Sequence, residues 1–478
     1  MDPASAGGEP EAAAAEWPAR AVGGMEYSWC RAVPGGTGTT LLAFRLARGG
    51  GGVVAAVQAV VDAHPVLRAR LRGAASGSPT LAFPSAVPNA PPLPLALELL
   101  PVPESAPDFL SLLELELNRN PWTAASAASE PEPDAPPVLF ATLYEPPPPA
   151  GGGSALFVRI HTAACDRAAS ASLVRELVAL LASDGAAPAA DPEDAAVHAA
   201  LEERIPQRDS WKPFWARGLD MVGYSINGLR TSTLPFEVTG TERSTQMLRL
   251  GFDREETTRL LDACKQNGVK LCSAMAAATL LAARQSKQLK SDDQQETYSI
   301  AILINCRKFL EPALDDHNVG FFHSAITNTH TVHGGEGLWE LAKRCQDSYA
   351  SAKNSKKHLT DISDLNFLMC RAIENPQLTT ATALRTAVVS VFEEPVVYEL
   401  SDLQGKAGVE EFVCGATVHG VGPSIGLFDS IRDGQLELAC MYPCPLHSRK
   451  QMQEIMNKVK QILHEGSIGD DENFEDCT

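Results

Sequence analysis

Val158-Arg159-Ile160-His161-Thr162-Ala163-Ala164-Cys165-Asp166-Arg167 decides the fold of this chain. Ser154 to Ile160 alternates as a strand does, the next residues make a turn, and Arg167 to Leu181 has helical spacing. A strand, a tight turn and a helix therefore meet within a few residues. The turn carries an imidazole, a hydroxyl, a thiol and a carboxylate (His161, Thr162, Cys165, Asp166). Side chains alternate across a strand end, so His161 and Thr162 are expected on opposite sides.

Working outward, the same period rules predict α/β elements in both halves. Before the central stretch, Thr40 to Leu46, Val138 to Tyr144 and Ser154 to Ile160 read as strands. Val53 to Ala63 and Phe109 to Leu117 read as helices. After it, Thr245 to Phe252 reads as a strand and Asp253 opens a helix, with Asp253 as N-cap and Glu256 at the capping-box position. Ser273 to Gln285 reads as a buried Ala-rich helix capped by Ser273. Tyr298 to Ile304, Thr386 to Val391 and Phe412 to His419 read as strands, and Leu338 to Ala352 as a helix. Leu427 to Ile431 and Leu436 to Tyr442 flank Asp433-Gly434, a pair suited to a tight hairpin. Met452, Ile455, Met456 and Val459 give the closing helix, Arg449 to Leu463, its apolar face.

The 478 residues are long enough for two or three cores. A formal net charge of -19 argues against nucleic-acid and anionic-membrane partners, which need clustered Lys and Arg. No apolar run approaches a membrane span, and the start lacks the basic and apolar regions of a signal peptide. Eleven cysteines are scattered with no CxxC, which fits reduced thiols of a cytoplasmic protein. Met1 to Ala15, Ala124 to Pro137, Glu145 to Ser154 and Asp184 to Asp194 read as tail or loop by composition. The expected organisation is a tail (1–19), a first lobe (20–205), a linker (206–235), a second lobe (236–465) and an acidic tail (466–478). Trp211, Trp215 and Tyr224 in the linker are expected to pack on the body.

The central stretch resembles the HHxxxDG signature of the CoA-dependent acyltransferase superfamily. That superfamily includes non-ribosomal peptide condensation domains, chloramphenicol acetyltransferase and the plant BAHD enzymes. Counted back from Asp166, the first His falls on His161, the second on Thr162, and the Gly on Arg167. Four further segments resemble family motifs in the expected order. They are His64-Pro65-Val66-Leu67-Arg68, the helix pair within Gly251 to Ala283, Asn305-Cys306-Arg307, and Asn318-Val319-Gly320-Phe321-Phe322. The DFGWG motif of BAHD enzymes is absent, so the condensation-domain branch is closer. The resemblance implies two chloramphenicol-acetyltransferase-like α/β lobes, each a mixed sheet flanked by helices, meeting at a tunnel. It also implies Asp166 paired with Arg68 as a structural ion pair, and Asn305, Arg307 and Ser424 along the tunnel.

The implied chemistry moves an acyl group from acyl-CoA, a cosubstrate and not a bound cofactor, to an alcohol or amine. A base must take the acceptor's proton, and the family uses the second His. Thr162 carries only a hydroxyl, a donor and acceptor at neutral pH. His161 is then the base offered by the loop, since Asp166 beside Cys165 opposes thiolate formation. The alternative is a non-catalytic relative that binds a small molecule or protein. The partners implied are a small-molecule donor and acceptor, to a monomer, with no metal. Gly422-Pro423-Ser424-Ile425-Gly426 matches GxSxG but precedes a hairpin, where a nucleophile elbow needs a strand-to-helix turn. Pro34 to Thr40 lacks the GK[ST] ending of a phosphate loop. His317, His323, His330 and His333 read as loop and strand residues in preference to a metal site.

Overall fold

A computed structural model of the chain describes residues 17–47, 52–74, 77–84, 95–123, 135–146, 153–183, 198–213, 215–218, 223, 231–287, 294–379 and 383–468. Of the predicted tail and loop segments, 1–15, most of Ala124 to Pro137 (124–134), the middle of Glu145 to Ser154 (147–152) and 184–194 lie outside these residues, as does Tyr224, while Glu145 and Ser154 themselves fall at strand ends.

The first half contributes β1 (Ala19–Ala21), β2 (Thr37–Leu46), β3 (Arg70–Arg72), β4 (Thr80–Ala82), β5 (Leu97–Pro101), β6 (Leu139–Glu145) and β7 (Ser154–His161). The second contributes β8 (Ser244–Gly251), β9 (Glu296–Asn305), β10 (His323–Val332), β11 (Arg385–Phe392), β12 (Val396–Tyr398), β13 (Val409–Val418), β14 (Gly422–Arg432) and β15 (Gln435–Cys444). Two large mixed sheets result. One has the order β13-β2-β7-β6-β5, the other β10-β9-β11-β14-β15-β8 with β12 beside β14. β1, β4 and β3 make a small third sheet. Among the described residues no helix is long and apolar enough to cross a membrane.

β7 is buried along its whole length, which places it in the middle of its sheet between β2 and β6. Leu156, Val158 and Ile160 enter the first-lobe core with Leu173, Val174 and Leu177 of the helix Arg167–Ala182. Phe157 points the other way, into an apolar cluster with Leu41, Met247, Val413 and Met441 that joins the lobes. Alternation along one strand thus feeds two cores. The second lobe packs Met275, Leu280, Tyr349, Met452 and Val459 against its sheet.

The second half is not one contiguous lobe. β13 pairs antiparallel with β2, so Val409–Val418 completes the first lobe's sheet. The chain then returns at 418–422 into β14. Arg385 holds this return. Its guanidinium is buried and donates to the carbonyls of Val418 (2.9 Å) and Pro423 (2.5 Å), and also to Gly420. Burial lowers its pKa to about 9, helped by the like charge of Arg243. Gly420 N donates to Gly36 O (3.1 Å), and Thr39 N to Thr417 Oγ1 (2.9 Å), which locks the return onto the first lobe.

The Asp253 cap forms as expected: Glu256 N donates to its Oδ1 (2.8 Å), and Asp253 N to Glu256 Oε2 (2.9 Å). Two other expectations are corrected. The Ala-rich helix starts at Leu271, with Lys270 as N-cap, because Leu271 and Cys272 are buried apolar residues that extend its packed face. Ser273 lies inside it and donates to Gln346 Oε1 (2.9 Å). Trp211 and Trp215 do not pack: they are 71% and 62% exposed. What ties this segment down is Lys212, whose Nζ donates to Asp361 (2.7 Å) and Asp364 (2.8 Å).

Burial also sets how the fold responds to acid. It lowers the pKa of His161 to about 3, and of His330, His358, His419 and His447 to about 4. In the unfolded chain these imidazoles titrate near 6.5. Between about pH 6.5 and 4 the unfolded state therefore binds more protons, so their contribution is complete above that window and is lost as pH falls through it. The urea midpoint should drop steadily from pH 7.5 to pH 5. A flat midpoint over that range would contradict the burial of these rings.

Candidate active site

The site is built where β7 ends against the second lobe. After β7, a one-turn 3-10 segment (Thr162–Ala164) leads to Asp166, the N-cap of the helix Arg167–Ala182. Ala169 N donates to Asp166 Oδ1 (2.9 Å), the usual use of an Asp at that position. The remaining lone pairs of this carboxylate face the other lobe. Arg307 is bidentate, with Nη1 2.8 Å from Oδ2 and Nη2 3.1 Å from Oδ1. Phe322 N donates to Oδ2 (2.7 Å), and His323 Nδ1 stands 2.9 Å from the same oxygen. Asp166 N in turn donates to Gly320 O (3.0 Å). Burial alone would raise the Asp166 pKa, but Arg307 and then His323 outweigh it and hold the carboxyl well below the usual range.

The ion pair expected with Arg68 is therefore made by Arg307. Arg68 ends the 3-10 segment Pro65–Arg68 and is not among the described partners of Asp166. That segment reaches the same helix by another route, His64 Nε2 to Glu176 Oε2 (2.7 Å). Arg307 is also not a tunnel-lining group. Its guanidinium is buried, donates to Asn318 O (2.9 Å) and Asn305 Oδ1 (3.2 Å), and lies over the Phe322 ring (4.9 Å). Asn305 spends its amide on Asp316 Oδ1 (2.8 Å). Ser424 is wholly buried within β14, and among the described residues its Oγ has no partner, so it neither lines an open channel nor forms an elbow.

The loop separates His161 from Thr162 as strand alternation requires. His161 is 1% exposed, its ring edge-on to Trp122 at 5.2 Å. Ala163 N donates to its Nδ1 (3.2 Å), so the ring nitrogen with a lone pair is already occupied. With its pKa pushed down to about 3 by burial, this imidazole is a packed core group, and the base role expected of it finds no support in the geometry. Thr162 Oγ1 meets Thr40 Oγ1 (2.9 Å). It also lies beside Gly38, where φ is 92° and a Cβ would stand 2.6 Å from Trp29. Cys165 is sealed in, and burial pushes its thiol up to about 12. His161 and Cys165 are thus sealed from solvent, and Thr162 offers only a hydroxyl.

Arg167, at the Gly of the signature, crosses to the second lobe. It pairs with the buried Asp429 (2.8 Å) and lies 4.0 Å over the Phe392 ring. It forms one wall of a small cavity between the lobes, with Tyr398, Cys414, Phe428 and Arg432 among the others. His323, which the sequence placed only as a strand residue, is the functional candidate that the pattern did not single out. Its proximity to Asp166 depends on β10 meeting the helix N-terminus across the lobe junction.

Residues 241–395 match the PapA_C family, described as the C-terminus of phthiocerol/phthiodiolone dimycocerosyl transferase. No curated protein matches the chain. Among solved structures, TRI3 trichothecene 15-O-acetyltransferase from Fusarium sporotrichioides aligns at TM-score 0.67 and 12% identity, covering 94% of this chain and 97% of that one. Polyketide synthase associated protein 5 from Mycobacterium tuberculosis aligns at TM-score 0.58 and 14% identity over 94% and 99%. The EpoB cyclization-docking bidomain from Sorangium cellulosum aligns at 0.64 and 14% over 95% and 86%. The chain has the two-lobed fold of condensation domains and CoA-dependent acyltransferases.

Removing the Asp166 carboxylate leaves Arg307 buried and unpaired, a defect worth about 3–5 kcal/mol. Asp166→Ala should lower the melting temperature sharply, and Arg68→Ala far less. Equal effects from the two would contradict the pairing described.

Proposed function

We infer that the protein transfers an acyl group from a thioester donor, with acyl-CoA as cosubstrate, to an alcohol or amine at the lobe junction beside Asp166. The observation that carries this is the complete clamp on Asp166. Burying an ion pair is costly, and apolar residues of similar volume often serve stability as well or better. The clamp also ties the lobes together, and what favours acyl transfer is that it sets an imidazole, His323, beside that carboxylate at the lobe junction. The match of the second lobe to an acyltransferase family supports the same reaction class.

A second reading is favoured by Thr162 at the family's base position and by Arg167 bridging to Asp429. In it the protein binds a small molecule or another protein and catalyses nothing. The two part on one assay: release of free CoA thiol by the purified full chain, over a panel of acyl-CoAs with alcohols and amines. Acyl transfer expects saturable, acceptor-dependent thiol release that survives Thr162→Ala within a few-fold. Saturable acyl-CoA binding with no thiol release, together with new activity in Thr162→His, would overturn it in favour of the binding module.

A further inference from the structure

His323 opens β10 at the point where the second lobe meets Asp166. Its Nδ1 faces the Asp166 carboxylate at 2.9 Å, and among the described residues no hydrogen bond reaches its Nε2. The ring sits between Phe321 and Phe392, with centroids 6.4 and 6.0 Å away. Phe321 continues to Trp29 (5.5 Å), which packs at Gly38 beside Thr162. On the other side Phe392 continues to Phe428 (5.3 Å), and Arg167 lies over it. Phe428 and Arg167 both wall the cavity between the lobes. His323 is thus the polar member of an apolar row that runs from the signature loop to that cavity.

A general base is recognised by a third group that fixes its tautomer and leaves its other nitrogen free. His161 has its tautomer fixed the wrong way: a backbone N–H occupies the Nδ1 lone pair, which leaves the proton on Nε2, and the ring is sealed. His323 meets both. The ionised Asp166 favours a proton on Nδ1, which leaves the Nε2 lone pair to accept one. The same carboxylate would stabilise the imidazolium formed when it does.

We propose that His323, oriented by Asp166, is the general base of this site and replaces the imidazole that the signature lacks at Thr162. This rests on the acyl-transfer function inferred above. In the step, Nε2 takes the proton of the acceptor's O–H or N–H as that oxygen or nitrogen bonds to the thioester carbonyl carbon. The C–S bond then breaks with its electron pair on sulfur, and His323 returns the proton to the thiolate. The products are an ester or amide and free CoA thiol, and the imidazole ends as it began.

The test compares wild type, His323→Gln and His323→Ala with whichever donor and acceptor the wild type accepts, fold being checked by circular dichroism and melting. His323→Gln should lose about 10²- to 10⁴-fold in kcat, with KM for the donor within a few-fold. Added imidazole should restore part of the turnover to His323→Ala. In the wild type, diethyl pyrocarbonate should modify His323 in step with loss of turnover, and saturating acyl-CoA should protect it; this readout holds even if a variant does not fold. Full kcat in the folded variants, or inactivation with His323 unmodified, overturns the role of His323 while acyl transfer stands. A wild type inert to every donor overturns acyl transfer itself, and the role of His323 with it.

Discussion

One carboxylate holds the two lobes to each other at the point where the site forms. Asp166 caps the first lobe's helix and accepts from Arg307 and Phe322 N of the second. A carboxylate in so little water stays ionised only because its lone pairs are all engaged and a guanidinium neutralises it. That demand constrains its neighbours. Arg307 must be buried, Asn305 must turn toward it, and the Gly320–His323 segment must run past the helix N-terminus. The loop 161–165 is rigid because its last residue is fixed.

The same constraint holds the loop whatever stands at its second signature position: Thr162 is absorbed into a hydroxyl pair with Thr40. Arg167 adds a second lobe-to-lobe tie through Asp429. Asp166 thus fixes the loop and at the same time stands beside an imidazole, with His323 Nδ1 2.9 Å from its Oδ2.

Sequence reasoning reached what is local. The strand-turn-helix at 158–167, the Asp253 capping box and the Asp433-Gly434 hairpin all follow from short-range geometry, and each is where it was expected. The fold followed because several such segments occur in family order. What escaped depends on contacts far apart in the chain. Arg68 and Arg307 both stood in family-like segments, and nothing in their spacing told which would reach Asp166. Phe412 to His419 reads as a strand, but the partner of the strand found there, β2, is some 370 residues away. Trp211 and Trp215 suggested packing by their size, whereas Lys212 between them made the anchoring contact. His323 looked like one of several strand histidines until its register set it beside Asp166.

The most direct measurement is a crystal structure of the full chain with a stable thioether analogue of acyl-CoA. The account expects the analogue's acyl end at the lobe junction, with the carbonyl close enough for an attacking group to lie within about 3 Å of His323 Nε2, directly or through one water. His161 should remain packed on Trp122. An analogue whose carbonyl sits against Thr162 with His323 turned away, or one that binds outside the junction altogether, would contradict it.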